Sequence, residues 1–229
     1  MEADNELTYF KQVHIFAGLA EDDIRELASV AQRRTFRSGE VIFHRDDSGQ
    51  VLYVIKEGKV KICLISPDGQ EIALTIFGKG DSFGEFALLD GLGRSADAIT
   101  LEKVVCYTLQ RSDFHKAIIK NPRIAIQVLE VLSKRLRNTD QQVEDLIFLD
   151  VNGRVAKKLL ELAEAHGVQV GDGTRIDMRL TQNELASMVG ASRESVNKVL
   201  GYFTDRQFIS TDKHKITIHR VVDLKRRIY

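Results

Sequence analysis

The sequence is poor in the residues that mark disordered, secreted and metal-binding chains. It has two prolines in 229 residues and no tract rich in proline, serine or glutamine, which argues against a long disordered segment. The two cysteines, Cys63 and Cys106, stand alone in apolar, strand-like stretches, so we expect buried thiols in a reducing compartment. No Cys-x-x-Cys pair exists and the six histidines are scattered singly, so a metal or iron–sulfur site has little support.

Long apolar runs and an excess of charge are also missing. No run approaches the length of a membrane span, and Met1–Leu7 is acidic, unlike a secretion signal. We therefore expect a cytoplasmic protein without a membrane partner. The formal net charge is zero, but residues 150–229 hold 14 basic against 10 acidic side chains. This mildly basic C-terminal third is compatible with DNA binding.

Residues 34–109 have the pattern of an antiparallel β-domain. Short alternating or β-branched runs recur there, and glycine-containing turn sequences separate them. The predicted strands are Thr35–Phe36, Val41–Phe43, Val51–Ile55, Val60–Ile65, Glu71–Phe77, Ala98–Thr100 and Lys103–Leu109. Regular short strands predict a β-barrel or jelly roll, which is preceded by helical segments within Leu7–Ala31.

Charged and glycine residues are concentrated in Phe83–Ala96, a segment that interrupts the strand series. Its apolar residues predict a short helix, and Gly91 and Gly93 supply backbone freedom for the following turn. The side chains expected to pack on the core are Phe83, Phe86, Leu88 and Leu89. We expect this segment at the mouth of the barrel, where β-barrels often hold small ligands.

The polar residues of this segment suit a ligand with a phosphate at one end and a sugar hydroxyl at the other. Arg94 supplies a guanidinium that can bind two oxygens, Ser95 supplies a hydroxyl, and helix-start amides favour an anion. Glu85 can accept from hydroxyls but would repel a phosphate. These properties describe a cyclic nucleotide. The alternative is that Glu85 and Arg94 form a surface ion pair at the rim of the β-domain.

Two helices are predicted after the β-domain. The first, Arg111–Lys120, is opened by Ser112, and Pro122 begins a longer helix that runs to about Leu149. Residues along the long helix alternate steps of four and three: Ala125, Leu129, Leu132, Leu136, Thr139, Val143, Leu146 and Asp150. This heptad seam predicts self-dimerisation, and the alternative is a helix packed only on its own domain.

The C-terminal third begins at a predicted hinge, Phe148–Asn152. Asp150 is expected to cap a helix over Val151–His166, and Gly167–Gly173 is expected to form a loop. A hairpin over Ile209–His219 is predicted near the end of the chain.

Two helices between that loop and the hairpin have the pattern of a helix-turn-helix. Thr181 and Glu184 predict a capping box for the first helix, Gly190 a tight turn, and Ser192 the cap of the second helix, Arg193–Arg206. With the hairpin as a wing, this is a winged helix-turn-helix.

The second of these helices presents polar residues to its outer face. These are Arg193, Glu194, Asn197 and Lys198. Arginine and asparagine can make bidentate base contacts, and glutamate can accept from cytosine N4. All lie near the start of the helix, the end that enters the major groove in this motif.

The sequence Phe-Gly-Glu-Phe-Ala-Leu-Leu followed by Arg-Ser-Ala, within residues 83–96, resembles the phosphate-binding cassette of cyclic-nucleotide-binding domains. Together with the long helix and the winged helix-turn-helix, the whole chain resembles the Crp–Fnr family of bacterial transcription regulators, and most of all its cyclic-AMP receptor branch. The resemblance implies that Glu85 holds the ribose 2′-hydroxyl and that Arg94 and Ser95 bind the cyclic phosphate. It also implies backbone contacts from Gly84 and Ala96, with Phe86 in the same site.

The resemblance extends to the long helix and to the DNA-binding residues. Thr139 and Asp140 take the positions that contact the nucleotide base, one from each subunit, and Asp140 replaces a hydroxyl often found there. Base edges are assigned to Arg193, Glu194 and Lys198, although the family often has arginine where Lys198 stands. The remaining DNA-site residues are Thr181 and Gln182, at phosphate-contact positions, together with Ser192 and Asn197.

We therefore expect an α+β protein: a cyclic-nucleotide-binding β jelly roll (1–121), a dimerisation helix and hinge (122–150) and a winged helix-turn-helix (151–229). The expected function is that of a cyclic-AMP-responsive, homodimeric transcription regulator that binds two-fold-symmetric double-stranded DNA, with RNA polymerase as a further partner. The alternatives are the same fold with another effector or none, and a cyclic-nucleotide-dependent regulatory subunit of an enzyme. The sequence shows no set of catalytic residues.

Overall fold

The computed structural model describes residues 2–228 and divides into two compact units. The first comprises Met1–Ile65 and Ala73–Asn138, and the second Ser66–Ile72 and Thr139–Tyr229. Met1 and Tyr229, the outermost residues of the predicted domains, lie outside the described residues. The domain boundaries expected after residues 121 and 150 stay a prediction.

The N-terminal half of the chain combines helices with a β-domain. They are α1 (Glu2–Phe10), α2 (Glu21–Val30), α3 (Glu85–Asp90) and α4 (Arg111–Lys120), with a short 3-10 helix at His14–Phe16. The strands are β1 (Gln32–Phe36), β2 (Val41–Phe43), β3 (Val51–Glu57), β4 (Val60–Ile65), β5 (Glu71–Phe77), β6 (Ser82–Phe83), β7 (Asp97–Thr100) and β8 (Val104–Gln110).

Two four-stranded sheets build the β-domain, with strand orders β1-β8-β3-β6 and β2-β7-β4-β5. Strands β1 and β3 pair antiparallel with β8, and β2 and β4 pair antiparallel with β7. Six of the seven residues of β8 are buried, since this strand lies between β1 and β3 in its sheet and helices pack against it. The predicted jelly roll is confirmed.

Several local predictions in this half were wrong. Phe83 lies in strand β6, which the sequence did not indicate, and Phe86 and Leu89 are each 42% exposed, so that they do not pack on the core as expected. Ala87 and Leu88 are buried on the inner face of α3, because a helix of six residues has room for only a narrow core-facing stripe. Helix α4 begins at Arg111 after Gln110, and Ser112 does not cap it.

The remaining elements lie in the C-terminal half. They are the helices α5 (Arg123–Phe148), α6 (Val151–His166), α7 (Gln182–Val189), α8 (Arg193–Asp205) and α9 (Val221–Lys225), and the strands β9 (Gly167–Val170), β10 (Gly173–Ile176), β11 (Ile209–Asp212) and β12 (Lys215–Ile218). The four strands form one sheet in the order β11-β12-β10-β9.

The loop predicted at Gly167–Gly173 was wrong, because β9 pairs antiparallel with β10 there. Every residue of β9 is exposed, so the segment has no buried side that an alternating pattern could reveal. The predicted hairpin is confirmed, and its turn at Lys213 and His214 has positive φ angles of 43° and 68°. None of the helices within residues 2–228 has the length and apolarity needed to cross a bilayer.

Candidate functional site

Arg94 lies between α3 and β7, and it is only 4% exposed. Its Nη1 donates to the carbonyl oxygen of Gly84 at 2.7 Å, and its Nη2 donates to that of Val51 at 2.9 Å. The guanidinium carbon lies 4.3 Å from the ring centroid of Phe43 and 5.8 Å from that of Tyr53. Carbonyl dipoles and aromatic faces thus compensate the buried cation.

Backbone contacts from the loop before β3 hold Arg94 in place. Asp46 N donates to Arg94 O and Arg94 N donates to Asp47 O, both at 2.9 Å. Gly49 makes this approach possible, because a Cβ at that position would lie 2.3 Å from Ala87 Cβ and 2.9 Å from Arg94 Nε. The loop therefore fixes the backbone of Arg94, from which the guanidinium extends, and restricts the movement of the side chain.

Glu85 is the first residue of α3, and it is 5% exposed. Arg135 of α5 donates through Nη1 to Glu85 Oε1 and through Nη2 to the carbonyl oxygen of Ser82. The guanidinium of Arg135 also lies over the ring of Phe77, 4.4 Å from its centroid. The carboxylate expected to bind a sugar hydroxyl is thus itself positioned by an arginine 50 residues away.

Two buried polar atoms of the cassette have no hydrogen-bond partner within the part of the chain that the structure describes: Arg94 Nε and Glu85 Oε2. Burial lowers the pKa of Arg94 from its ordinary value, and the nearby Tyr53 and Glu85 charges oppose that shift. An unpaired buried donor and an unpaired buried acceptor in one segment are costly. A ligand that offers an anionic acceptor and a hydroxyl donor matches both atoms.

The other predicted cassette residues surround these two charges. Gly84 has a φ of 85°, and a Cβ there would lie 2.5 Å from Arg94 Nη1, so that glycine is required on both grounds. Ser95 is exposed between the buried Arg94 and Ala96, which leaves its hydroxyl at the surface. Phe86 is 42% exposed and offers an apolar surface beside the cassette.

Thr139 and Asp140 belong to the second compact unit, and both are exposed on α5. Their assignment to the nucleotide base stays a prediction.

Helix α5 has a buried side and an exposed apolar stripe. Ile124 and Val128 are buried in the core of the first unit. The exposed stripe follows the predicted heptad seam, and its most exposed members are Leu129 (63%), Leu136 (62%), Val143 (49%) and Leu146 (46%). A contiguous exposed apolar stripe at heptad spacing is typical of a helix that pairs with another helix.

The helix-turn-helix forms as its sequence predicts. The Thr181 hydroxyl accepts from Glu184 N at 3.2 Å, and the Glu184 carboxylate accepts from Thr181 N at 2.7 Å, which completes the capping box. Gly190 has a φ of 60° in the turn, and Ser192 caps α8 by accepting from Ser195 N at 3.2 Å. The turn at Gly190 and the Ser192 cap together define where α8 begins.

Polar side chains of α7 and α8 form one surface at the start of α8. Gln182 Nε2 donates to Asn197 Oδ1 at 2.8 Å, and Arg193 Nε lies 3.4 Å from Gln182 Oε1. The exposed predicted DNA-site residues are Ser192, Arg193, Glu194, Asn197 and Lys198, while Thr181 and Gln182 are half-buried. This set combines donors and acceptors that suit phosphates and base edges, and each residue's role stays a prediction.

Arg154 of α6 joins the segment after α5 to the turn of the helix-turn-helix. Its Nε donates to Val189 O at 2.8 Å, its Nη1 to Leu149 O at 2.7 Å and its Nη2 to Gly190 O at 3.5 Å. Asp150 Oδ1 accepts from Gly153 N at 2.7 Å, so the predicted cap of α6 is confirmed. Side-chain hydrogen bonds therefore brace the short break between α5 and α6, and its role as a hinge stays a prediction.

Sequence reasoning missed three contributors to the cassette: Arg135, Gly49 and Phe43. Arg135 is not among the site residues that the sequence predicts. Its position directly before the seam residue Leu136 does not indicate that it contacts its own β-domain. Nothing local indicates that Gly49 and Phe43 approach Arg94, because they are about 50 residues from it in the chain.

Two family models match the chain. A cyclic nucleotide-binding domain matches residues 33–121, and a Crp-like helix-turn-helix domain matches residues 153–227. These ranges contain the cassette and the helix-turn-helix respectively.

Curated relatives match over most of their length. The chain is 41% identical over 213 residues to the CRP-like cAMP-activated global transcriptional regulator of Mycobacterium tuberculosis, which covers 93% of this chain and 95% of the relative. It is 37% identical over 186 residues to the cyclic AMP receptor protein of Thermus thermophilus, with coverage of 81% and 83%. Among solved structures, the c-di-GMP-responsive global regulator CLP of Xanthomonas campestris matches with a TM-score of 0.80 and 25% identity, covering 87% of this chain and 99% of that one.

Proposed function

Because the chain belongs to the Crp–Fnr family of transcription regulators, we propose that it is a homodimer that binds cyclic AMP and, in response, two-fold-symmetric operator DNA. One observation supports the effector above all: the buried, unpaired Arg94 Nε and Glu85 Oε2 of the cassette. A cyclic phosphate would accept from Arg94 and from the Ser95 hydroxyl, and a ribose 2′-hydroxyl would donate to Glu85. Gly84 and Ala96 would add backbone contacts, and Phe86 an apolar wall.

The base of the nucleotide would contact Thr139 on α5. The sequence expectation adds Asp140 of the partner subunit to this contact.

Dimerisation is supported by the exposed apolar stripe of α5. Leu129 and Leu136 are each more than 60% exposed in the single chain, although leucine is normally buried. Pairing of two α5 helices would remove both from water. RNA polymerase is a further partner that we propose on family membership alone.

DNA binding would place α8 in the major groove. Arg193, Glu194 and Lys198 would contact base edges, while Thr181 and Gln182 would contact phosphates. Ser192 and Asn197 complete this surface, the first as cap of α8 and the second as the hydrogen-bond partner of Gln182.

Ligand binding would act by a population shift. Without ligand the two DNA-binding units would be held in orientations that do not match adjacent half-sites. Cyclic AMP would favour the helix pairing that sets the two α8 helices about 34 Å apart, one turn of DNA. The ligand can contribute only its difference in affinity for the two forms, typically about 1–3 kcal/mol.

The effector is tested by calorimetry with cyclic AMP and cyclic GMP on the wild-type chain, Arg94→Ala and Arg45→Ala. We expect Arg94→Ala to weaken cyclic AMP binding about 100-fold, since charge-assisted hydrogen bonds to the phosphate are lost. Arg45 is the control, because it is an exposed arginine of the neighbouring loop. Unchanged affinity in Arg94→Ala would contradict the phosphate assignment, and no heat with either nucleotide at millimolar concentration would favour another effector or none.

The DNA site is tested by selecting bound duplexes from a random pool, with and without cyclic AMP, followed by gel shifts on the selected site. Arg193→Ala should weaken binding by about 10- to 100-fold and relax the preference at one base pair in each half-site. Lys158→Ala, which removes a cation of α6 paired with Glu161, should leave the affinity for DNA almost unchanged. Equal retention with and without cyclic AMP would favour the constitutive alternative, and no specific site at all would favour the regulatory-subunit alternative.

A further inference from the structure

The heptad register of α5 places Arg135 and Asp140 at two charged positions beside the apolar seam. Their roles in ligand binding do not explain this placement. Seam positions a are held by Leu129, Leu136 and Val143, and positions d by Leu132, Thr139 and Leu146. Arg135 directly precedes an a residue and so takes position g, whereas Asp140 directly follows a d residue and takes position e. Residues e and g flank the apolar seam on opposite sides.

In the proposed dimer the two α5 helices run parallel, so that the DNA-binding units, which follow α5 in the chain, leave the pair at the same end. In a parallel pair, a g residue faces the partner's e residue five positions further along the chain, and oppositely charged pairs there set partner and register. Arg135 therefore faces Asp140 of the partner subunit. Within α5 the other two pairs of this kind are Val128 with Ser133 and Gln142 with Ile147, neither of which is charged.

The structure fixes the side of α5 from which Arg135 projects. Its contacts with Glu85 Oε1, with the Ser82 carbonyl and with the Phe77 ring all come from its own β-domain, and its side chain is 21% exposed. A guanidinium has five N–H donors in one plane and can serve two carboxylates. Asp140 is exposed on the single chain, so the partner's helix can reach it.

We propose that Arg135 forms an ion pair with Asp140 of the partner subunit, and that this ion pair stabilises the dimer. Each site then contains a charge network of Glu85, Arg135 and the partner subunit's Asp140, and two-fold symmetry forms this network twice. The network links the sugar-binding carboxylate of one subunit to the α5 helix of the other. The inference rests on the dimer of the proposed function but not on its ligand.

The test measures subunit exchange between differently labelled dimers by fluorescence energy transfer, without nucleotide. Asp140→Asn should speed exchange about fivefold, because two partly exposed ion pairs are lost from each dimer. Asp140→Glu should stay within twofold of wild type, since the charge is kept. Glu144→Gln is the matched control, because it removes one exposed carboxylate at position b of the same helix, and it should leave the rate unchanged.

A double-mutant cycle ties the effect to Arg135. In an Arg135→Gln background, Asp140→Asn should have no further effect on exchange. The ion pair is overturned if Asp140→Asn dimers exchange subunits at the wild-type rate. It is also overturned if Asp140→Asn speeds exchange equally in the wild-type and Arg135→Gln backgrounds, and in both cases the proposed dimer itself is unaffected. A chain that is monomeric at micromolar concentration overturns the ion pair together with the proposed dimer.

Discussion

Arg94 and Glu85 show how one short segment buries both signs of charge. Arg94 is compensated by carbonyl oxygens and aromatic faces, and Glu85 by the guanidinium of Arg135. Each keeps one buried atom unpaired in the described chain, and such an atom costs about 1–3 kcal/mol. A ligand that pairs both atoms would recover that cost on binding. The two residues were predictable from the cassette, because they lie in one contiguous stretch.

Cys106 and Tyr9 are two buried residues whose side chains lose a proton only above neutral pH, so they affect how the free energy of unfolding depends on pH. Burial raises the pKa of the Cys106 thiol to about 12, and it raises the pKa of the Tyr9 phenol well above its ordinary value. Above pH 8.5 the unfolded thiol ionises while the folded thiol stays neutral. The free energy of unfolding should therefore fall by about 1.5 kcal/mol between pH 8.5 and 10 on account of Cys106.

Urea unfolding of the wild-type chain and of Cys106→Ala over that pH range tests this expectation. The variant should be less stable near neutral pH, because it leaves a small cavity, but its stability should fall less steeply with pH. The fall should be complete only once the pH passes the folded pKa. Identical slopes in the two proteins would contradict the assignment to Cys106.

At the scale of elements, short-range rules account for the DNA-binding unit. The capping box of α7, the positive φ of Gly190 and the cap of α8 each depend on residues within four positions of one another, so the sequence predicts them. Gly190 has a second requirement, since a Cβ there would lie 2.9 Å from Leu146 Cδ2. Arg154 then ties the residue after α5 to this same turn.

Removing the donors of Arg154 should destabilise this unit. Arg154→Met keeps the length of the side chain but leaves the Val189 and Leu149 carbonyls without their partner, which should lower the free energy of unfolding by about 2–3 kcal/mol. The free energy of unfolding of Arg154→Lys should lie between those of wild type and Arg154→Met, because one ammonium cannot reach both carbonyls in the same geometry. Lys158→Met, on the same helix, is the control. Urea denaturation curves that coincide for wild type and Arg154→Met would refute the brace.

At the scale of the whole molecule, the exposed stripe of α5 decides whether the chain acts alone or as a pair. Leu136 is 62% exposed, so replacing it with glutamate should not unfold the single chain. In a dimer, the same change would place two carboxylates against each other in the seam. Leu136→Glu should therefore sediment as a monomer and lose specific retention of operator DNA.

Asn138→Glu adds the same charge two residues away, at the exposed position c, and should remain dimeric. Sedimentation velocity at micromolar concentration measures both variants. A Leu136→Glu chain that keeps the mass of a dimer would place the interface elsewhere on the molecule.

The sequence alone determined the features that depend on neighbouring residues. These are the strands of the jelly roll with their glycine turns, the cassette, the heptad stripe, the helix caps and the turn at Gly190. Local geometry sets each of them, because side chains three or four positions apart on a helix, or two apart on a strand, share a face whatever the rest of the chain does. Family membership followed from the same contiguous motifs.

Only the tertiary structure decided the features that join distant parts of the chain. It placed Arg135 on Glu85, brought Gly49 against Arg94, paired β9 with β10, and left Phe86 and Leu89 outside the core. No periodicity indicates these contacts, since they depend on how separate elements pack. A buried charge takes whichever partner that packing brings within hydrogen-bonding distance.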